Sequence, residues 1–338
     1  MNKTNKTYDA IIVGARCAGS PTAMLLARKG YRVLVVDRAT FPSDTVSTHV
    51  VQPLGVAALA NWGLLDRLTA TGCPPIHTYA YDFGPLTISG KPGTQEAPVA
   101  YCPRRTILDK LLVDGAAEAG AEIREGFTVE EVLIEGGRVV GVNGHSKDGD
   151  RVTERAEVVI GADGRYSLVA EAVRPAQYNE RPPLLASYYS YWSGLPMEGR
   201  FETYIRPHRG FAAVSTHDDL TLIIAGWPYS EFEANKKNVE SNFLKMFELA
   251  PEFAERVRGA KREARGAVRR RGRVEFFPQA VRARLGARRR RGIQQGPHHG
   301  AGDPRCLPGR GTLCDRAGSD LHQRSLVRRS DGRVPARS

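Results

Sequence analysis

The sequence predicts an α/β protein, a Rossmann-type nucleotide-binding unit interrupted by an inserted antiparallel β-sheet. Three observations predict it. A strand, glycine turn, helix and second strand fill the first 37 residues. A later strand ends in Gly-Ala-Asp-Gly at residues 161–164. From Pro182 onward the texture changes to short stretches rich in tyrosine, tryptophan and phenylalanine.

Taken in order, Tyr8–Val13 is a short apolar run that stops at Gly14, and Ser20–Lys29 carries Ala, Met and Leu at helical spacing before Gly30 closes it. Tyr31–Asp37 is a second apolar run suited to a central parallel strand, which completes a βαβ unit. Leu54–Leu68 reads as a helix. Thr106–Ala119 is a clearer amphipathic one, with Ile107, Leu108, Leu111, Leu112 and Ala116 apolar. Glu122–Thr128 reads as a strand, Val129–Asn143 as a hairpin turning at Gly136-Gly137, and Arg155–Ile160 as a further strand. Beyond Pro182, the aromatics Tyr188, Tyr189, Tyr191, Trp192, Phe201, Tyr204 and Phe211 and the run Leu220–Ala225 predict antiparallel strands that form one wall of a substrate pocket. Asn238–Leu249 is expected to be helical. The expected division is a nucleotide-binding domain over residues 1–180, the sheet and helix of a substrate domain over 181–264, and a tail over 265–338.

Composition narrows the class. The 338 residues suffice for one large or two ordinary domains, and the apolar content is that of a globular protein. No signal peptide and no membrane-length apolar run is visible, so no membrane span is expected and the location expected is cytoplasmic. The five cysteines, Cys17, Cys73, Cys102, Cys306 and Cys314, form no CxxC pair, which argues against both a zinc site and a disulfide framework. No metal is expected. The net charge of +12 sits in the tail: residues 265–338 hold 19 arginines, no lysine and 5 acidic residues, a local +14, so the rest of the chain sums to about −2. A basic folded face for nucleic acid is therefore not expected.

Gly14-Ala15-Arg16-Cys17-Ala18-Gly19 lies where a dinucleotide fingerprint belongs, after a strand and opening a helix. In such a unit the first glycine makes the turn, the last lets strand and helix pack closely, and the helix N-terminus faces the pyrophosphate. Arg16 stands where the middle glycine usually is, so its side chain must turn away from the phosphates or pair with them. Asp37 ends the second strand 18 residues after Gly19, the position of an acid that accepts ribose hydroxyls. The plainer reading is a βαβ turn whose glycines only pack.

The stretch Val158–Ser167, with Gly161-Ala162-Asp163-Gly164, adds a second motif. The pair of motifs resembles the FAD-dependent hydroxylase family with the para-hydroxybenzoate hydroxylase fold, which includes geranylgeranyl-reductase-like oxidoreductases; Val13–Thr48 resembles a bacterial branch of it. The resemblance covers about residues 8–264. It implies that the unit is FAD-binding: Gly14, Ala15, Arg16, Ala18 and Gly19 form the phosphate loop, Asp37 with Arg38 lies at the ribose, and Asp163 and Gly164 lie near the pyrophosphate and ribityl chain. Arg105 matches the family's flavin-contacting arginine, with Arg104 the competing choice. His49 lies in a segment expected to approach the flavin, and no catalytic residue is assigned.

The resemblance further implies an oxidoreductase in which NADH or NADPH reduces the flavin. Oxidation of an aromatic or apolar small molecule with dioxygen, a monooxygenase reaction, comes first, and hydride transfer to a double bond by a reductase of the geranylgeranyl type is the alternative. A non-catalytic relic or an arginine-tail binding protein is a third possibility. The family also carries a late Gly-Asp-Ala motif followed by Pro and Gln-Gly, which cannot be read after residue 264. In its place stand Arg288-Arg289-Arg290-Arg291 and Gly292–Gly302. A permitted choice of codons for these residues, read one base later, spells Val-Gly-Asp-Ala-Gly-Tyr-Asn-Lys-Asp-Pro-Ile-Thr-Ala-Gln-Gly. The expectation is a tail that has left its ancestral reading frame near Arg265 and is largely unstructured.

Overall fold

The computed structural model describes residues 7–182, 184–263 and 275–278; the tail expectations, with Cys306, Cys314 and the Arg288–Arg291 run, lie outside the described residues. The N-terminal βαβ unit is β1 (Thr7–Val13), α1 (Gly19–Arg28) and β2 (Val33–Asp37). It is followed by α2 (Pro53–Asn61) and α3 (Leu65–Thr69), so the single helix expected over 54–68 is broken in two at Trp62–Leu64. Four short strands come next: β3 (Pro75–Ile76), β4 (Thr78–Asp82), β5 (Thr87–Gly90) and β6 (Ala100–Tyr101). Then α4 (Arg105–Glu118) lies where the amphipathic pattern put a helix. The chain continues through β7 (Glu122–Glu125), β8 (Thr128–Glu135), β9 (Arg138–His145), β10 (Arg151–Gly161) and the short α5 (Leu168–Val173). The predicted turn at Gly136 and Gly137 joins β8 to β9, both glycines having the positive φ, 56° and 73°, that a tight hairpin needs.

The first sheet has the order β7-β2-β1-β10-β9-β8. Its centre is parallel, with Ile12 of β1 opposite Val35 of β2 on one side and Ile160 of β10 on the other. Buried on both faces, β1 and β2 are continuous apolar runs rather than alternating ones. One face packs Ala10, Ile12 and Val35 against Met24 and Leu26 of α1 and Leu108, Leu112 and Ala116 of α4. The other packs Ile11, Val13 and Leu34 against Phe127 and Val142. Removal of the larger of these side chains, such as Ile12, Met24 and Phe127, from water stabilises the fold by roughly 1.5–3 kcal/mol each.

The second sheet is built from β12 (Leu185–Ser193), β13 (Arg200–Arg206), β14 (Arg209–Ser215), β15 (Thr221–Pro228) and β16 (Lys261–Arg262), preceded in the chain by β11 (Gln177–Arg181). The order is β16-β12-β15-β14-β13-β4-β5. Four of these strands are the antiparallel ones the aromatic stretch predicted. The β4–β5 hairpin, from the N-terminal side of the expected boundary at 180, completes the sheet by a parallel pairing of β4 with β13. A pair of strands, β11 with β17 (Glu275–Pro278), and another, β3 with β6, complete the described strands.

Alternation gives the second sheet two unlike faces. On one, Tyr188, Trp192, Phe211, Ile223 and Trp227 pack under the helical segment 232–258, which contains α6 (Phe232–Asn235), α7 (Val239–Lys245) and α8 (Pro251–Arg258). The expected helix over 238–249 is α7 plus one tighter turn, Met246–Leu249. On the other face, Tyr189, Tyr191, Phe201, Val214 and Leu222 pack against Val50, Ile76, Ala100 and Cys102 of the nucleotide-binding half.

Candidate functional site

The two glycine motifs, nearly 150 residues apart in sequence, meet at the carboxyl ends of adjacent parallel strands. Val13 ends β1 and Gly161 ends β10, and the two pair across the sheet. The Ala162 N–H donates to the Val13 carbonyl at 2.8 Å, and the Gly14 N–H donates to the Val36 carbonyl at 2.8 Å, so the loops after β1, β2 and β10 are stitched side by side. Gly14 has φ +102°, and a Cβ there would lie 2.4 Å from the Ala162 carbonyl oxygen; a Cβ on Gly19 would lie 1.7 Å from the Gly14 carbonyl oxygen. Only glycine permits this approach of backbone to backbone. A crevice outside the carboxyl ends of parallel strands is where an α/β sheet takes its ligand.

Asp37 is partly buried at the end of β2. Its Oδ2 accepts the Ala15 N–H at 2.7 Å and its Oδ1 accepts the Ala39 N–H at 2.8 Å. It therefore holds the phosphate loop as well as standing at the expected ribose position. Ala15 is buried, and Ala18 and Arg38 are exposed. In the second motif, Asp163 Oδ2 accepts the Val169 N–H at 3.2 Å, while its Oδ1 is buried without a hydrogen-bond partner. Such an acceptor is costly to leave unpaired. Gly164 beside it has φ +81° and open space where a Cβ would stand. These residues fit FAD: a close-packed glycine loop at the N-terminus of α1 for the pyrophosphate, and an acceptor at Asp163 for a hydroxyl or ring N–H of the cofactor.

The arginines are engaged with protein partners. Arg16 leaves the loop, its guanidinium 2.5 Å from Asp109 Oδ2 and 3.0 Å from Ser43 Oγ, and lies over the Phe41 ring. Arg105, the expected flavin-contacting residue, donates to both oxygens of Asp109, at 2.9 and 3.0 Å. Arg104 reaches the second sheet, bonding Asp218 at 3.0 Å and lying over Tyr191. Sequence reasoning passed over Asp109; the four-residue spacing from Arg105 was the available signal.

His49 is 2% exposed, has φ +63° and joins the two halves. Its Nδ1 lies 2.8 Å from the Ser47 carbonyl, so Nδ1 carries the proton and Nε2 accepts the Tyr191 hydroxyl at 2.9 Å. Burial pulls its pKa down to about 4 and pushes the Tyr189 and Tyr191 hydroxyls up. His217, also unanticipated, accepts the Arg104 N–H at Nδ1 and meets Thr71 Oγ1 at 2.8 Å through Nε2. Burial lowers its pKa too.

The chain matches, over residues 7–214, a family described as an FAD binding domain, and it belongs to that family. Its fold is the para-hydroxybenzoate hydroxylase fold of FAD-dependent oxidoreductases. FixC of Salmonella typhi is 34% identical over 178 residues, 50% of this chain and 40% of that protein. Digeranylgeranylglycerophospholipid reductase of Methanocella arvoryzae is 32% identical over 163 residues, 48% of this chain and 40% of that protein. The chain thus aligns with about two fifths of the length of these relatives. Among solved structures, the myxobacterial chondrochloren halogenase CndH superposes with a TM-score of 0.74 at 22% identity, covering 96% of this chain and 74% of that one. A flavoprotein/dehydrogenase from Cytophaga hutchinsonii gives 0.74 at 16% identity, covering 93% and 79%. These two likenesses speak for the fold. Among the described residues no cluster of metal-ligating side chains occurs, and no helix is long and apolar enough to cross a membrane.

Proposed function

We propose that this protein is an NADH- or NADPH-using flavin monooxygenase of the cytoplasm, acting on an aromatic or apolar small molecule. The observation that carries the reading is the face of the second sheet turned toward the nucleotide-binding half. Across β12, β15, β14, β13, β4 and β5 its side chains are Leu185, Ser187, Tyr189, Tyr191 and Ser193; Leu222, Ile224, Gly226 and Pro228; Gly210, Ala212 and Val214; Phe201, Thr203 and Ile205; Tyr79 and Tyr81; Ile88 and Gly90. None is charged. The opposite face carries Asp82, Arg200, Glu202, Arg206 and Arg209. The uncharged face is buried at one end against Val50, Ile76 and Cys102 and open at the other, where Leu185 is 46%, Ile88 54% and Ile205 37% exposed. A half-covered neutral wall with tyrosine hydroxyls along it suits an uncharged ring or chain with few polar atoms.

Gly14, Gly19, Asp37 and Asp163 would hold FAD, which supplies the redox chemistry when bound. The overall reaction takes two electrons from the nicotinamide, places one oxygen atom of dioxygen in the substrate and releases the other as water. The protein's part is to keep water from the wall and to present hydroxyls that stay protonated, Tyr189 and Tyr191 having been pushed up by burial. The test is oxygen uptake and NADH or NADPH oxidation by the FAD-supplemented chain with a panel of neutral phenols and polyprenyl compounds. Substrate-dependent uptake with a hydroxylated product supports the reading. The digeranylgeranylglycerophospholipid reductase relatives favour a second one, reduction of an isoprenoid double bond. Turnover without oxygen, with loss of a double bond, would replace the first reading by the second.

A further inference from the structure

We infer that Asp109 is a positioning residue for FAD, holding the Arg16 side chain out of the pyrophosphate cradle. The inference rests on the FAD site described above and assigns a task to a group that site does not use. Asp109 lies in the second turn of α4 with 0% exposure, an unusual place for a carboxylate unless its charge is needed. Two guanidinium groups, those of Arg16 and Arg105, and the Cys17 thiol at 3.4 Å surround it. Two of these three, Arg16 and Cys17, belong to the phosphate loop itself.

Arg16 occupies the position where a dinucleotide fingerprint has its middle glycine, which is there so that backbone can approach the pyrophosphate. A long side chain at that position is compatible with FAD only if it is turned aside. Its other contacts are the Ser43 carbonyl at 3.2 Å, Ser43 Oγ at 3.0 Å, the Asp44 carbonyl at 3.4 Å and the Phe41 ring. All of these are uncharged, so Asp109 is the one ion pair among the described residues that fixes the guanidinium on the α4 side. Breaking a half-buried pair by neutralising one partner leaves the other seeking a new anion, and a pyrophosphate bound at this loop would offer one.

The experiment measures FAD dissociation constants by flavin fluorescence, and apo-protein melting temperatures, for the chain and for D109N, R16G and R16G/D109N. D109N keeps the shape and hydrogen-bonding reach of the side chain while removing its charge. It should weaken FAD about tenfold or more in the parent background, whereas in the R16G background the same change should leave FAD affinity within about threefold of that of R16G. That rescue is one a merely structural role would not give, since the ion pair between Arg105 and Asp109 is lost equally in D109N and in the double variant. Unchanged or tighter FAD binding by D109N, or a double variant weakened relative to R16G as much as D109N is relative to the parent, would overturn the inference. If D109N fails to fold, the affinity of the double variant relative to R16G decides. A parent chain with no measurable FAD affinity would instead count against the flavin reading itself.

Discussion

Asp37 offers the sharpest test of how the phosphate loop is held. Its two oxygens each accept one backbone N–H, that of Ala15 in the loop at 2.7 Å and that of Ala39 beyond β2 at 2.8 Å. Hydrogen bonds to a charged acceptor contribute roughly 1.5–3 kcal/mol each, so Asp37→Ala removes about 3–6 kcal/mol of local restraint before water is considered. The residue is partly exposed, and water can take over both N–H groups, so the loss in global stability should be only about 1–2 kcal/mol. The loop feels it more, because the Ala15 N–H is freed to turn and the proposed ribose acceptor is lost with it; FAD affinity should fall by about 10–100-fold. Asp37→Asn keeps one acceptor oxygen but sets an NH2 against the other N–H, so it should fall between the parent and Asp37→Ala. Flavin fluorescence titration gives the affinity and urea unfolding of the apo-protein gives the stability. Parental affinity and midpoint in both variants, or an alanine variant that binds better than the asparagine one, would refute the reasoning.

Gly19→Ala puts a Cβ 1.7 Å from the Gly14 carbonyl oxygen, so α1 and the loop must separate; the flavin content of the purified protein should collapse, and parental content would show that the loop has room. His49 titrates near 4 in the fold against 6.5 when unfolded. Between those values only the unfolded chain takes the proton, so its contribution is whole above about pH 6.5, falls by about 3 kcal/mol as pH drops through the window, and levels off below 4. The difference in urea midpoint between the parent and His49→Gln should therefore shrink from pH 7 to pH 4.5, and parallel pH profiles would refute this. Moving the reading frame so that Gly-Asp-Ala stands in the Arg288–Arg291 region should raise FAD affinity, because it supplies the third family motif. Equal affinity, or a coding sequence that cannot spell the motif in another frame, would end that reading.

The parts of the fold that were legible in the sequence are those written in local pattern. Continuous apolar runs announced β1 and β2, helical spacing announced α1 and α4, and a Gly-Gly pair announced the β8–β9 turn. Residues 75–101 were not assigned, because β3 and β6 are two residues long and β4 pairs in parallel with a strand 122 residues later, Thr78 opposite Arg200. No local period encodes such a partner. In the candidate site, Gly14 and Gly19 could be singled out because backbone geometry restricts the residue type, and Asp37 and Asp163 because of their places after strands in the two motifs. Asp109 could not: on a surface helix Asp in Arg-Thr-Ile-Leu-Asp-Lys is ordinary, and only the approach of the phosphate loop makes it a buried ion-pair partner. His49 was noticed as a lone histidine, but its bond to Tyr191 spans 142 positions and had no signature.

The β4–β5 hairpin also has a consequence for how the chain is made. It leaves the ribosome 118 residues ahead of Arg200, the first residue of its partner strand β13, when counted from Asp82. At the usual pace of roughly 5–20 residues per second that is a wait on the order of ten seconds, with Tyr79, Tyr81 and Ile88 bared on one face. During this interval the nascent chain is open to chaperones and to wrong strand partners, and a gene cut at residue 180 would make the wait permanent. A fragment ending there should precipitate, and co-expression with the remaining piece should bring it back into solution.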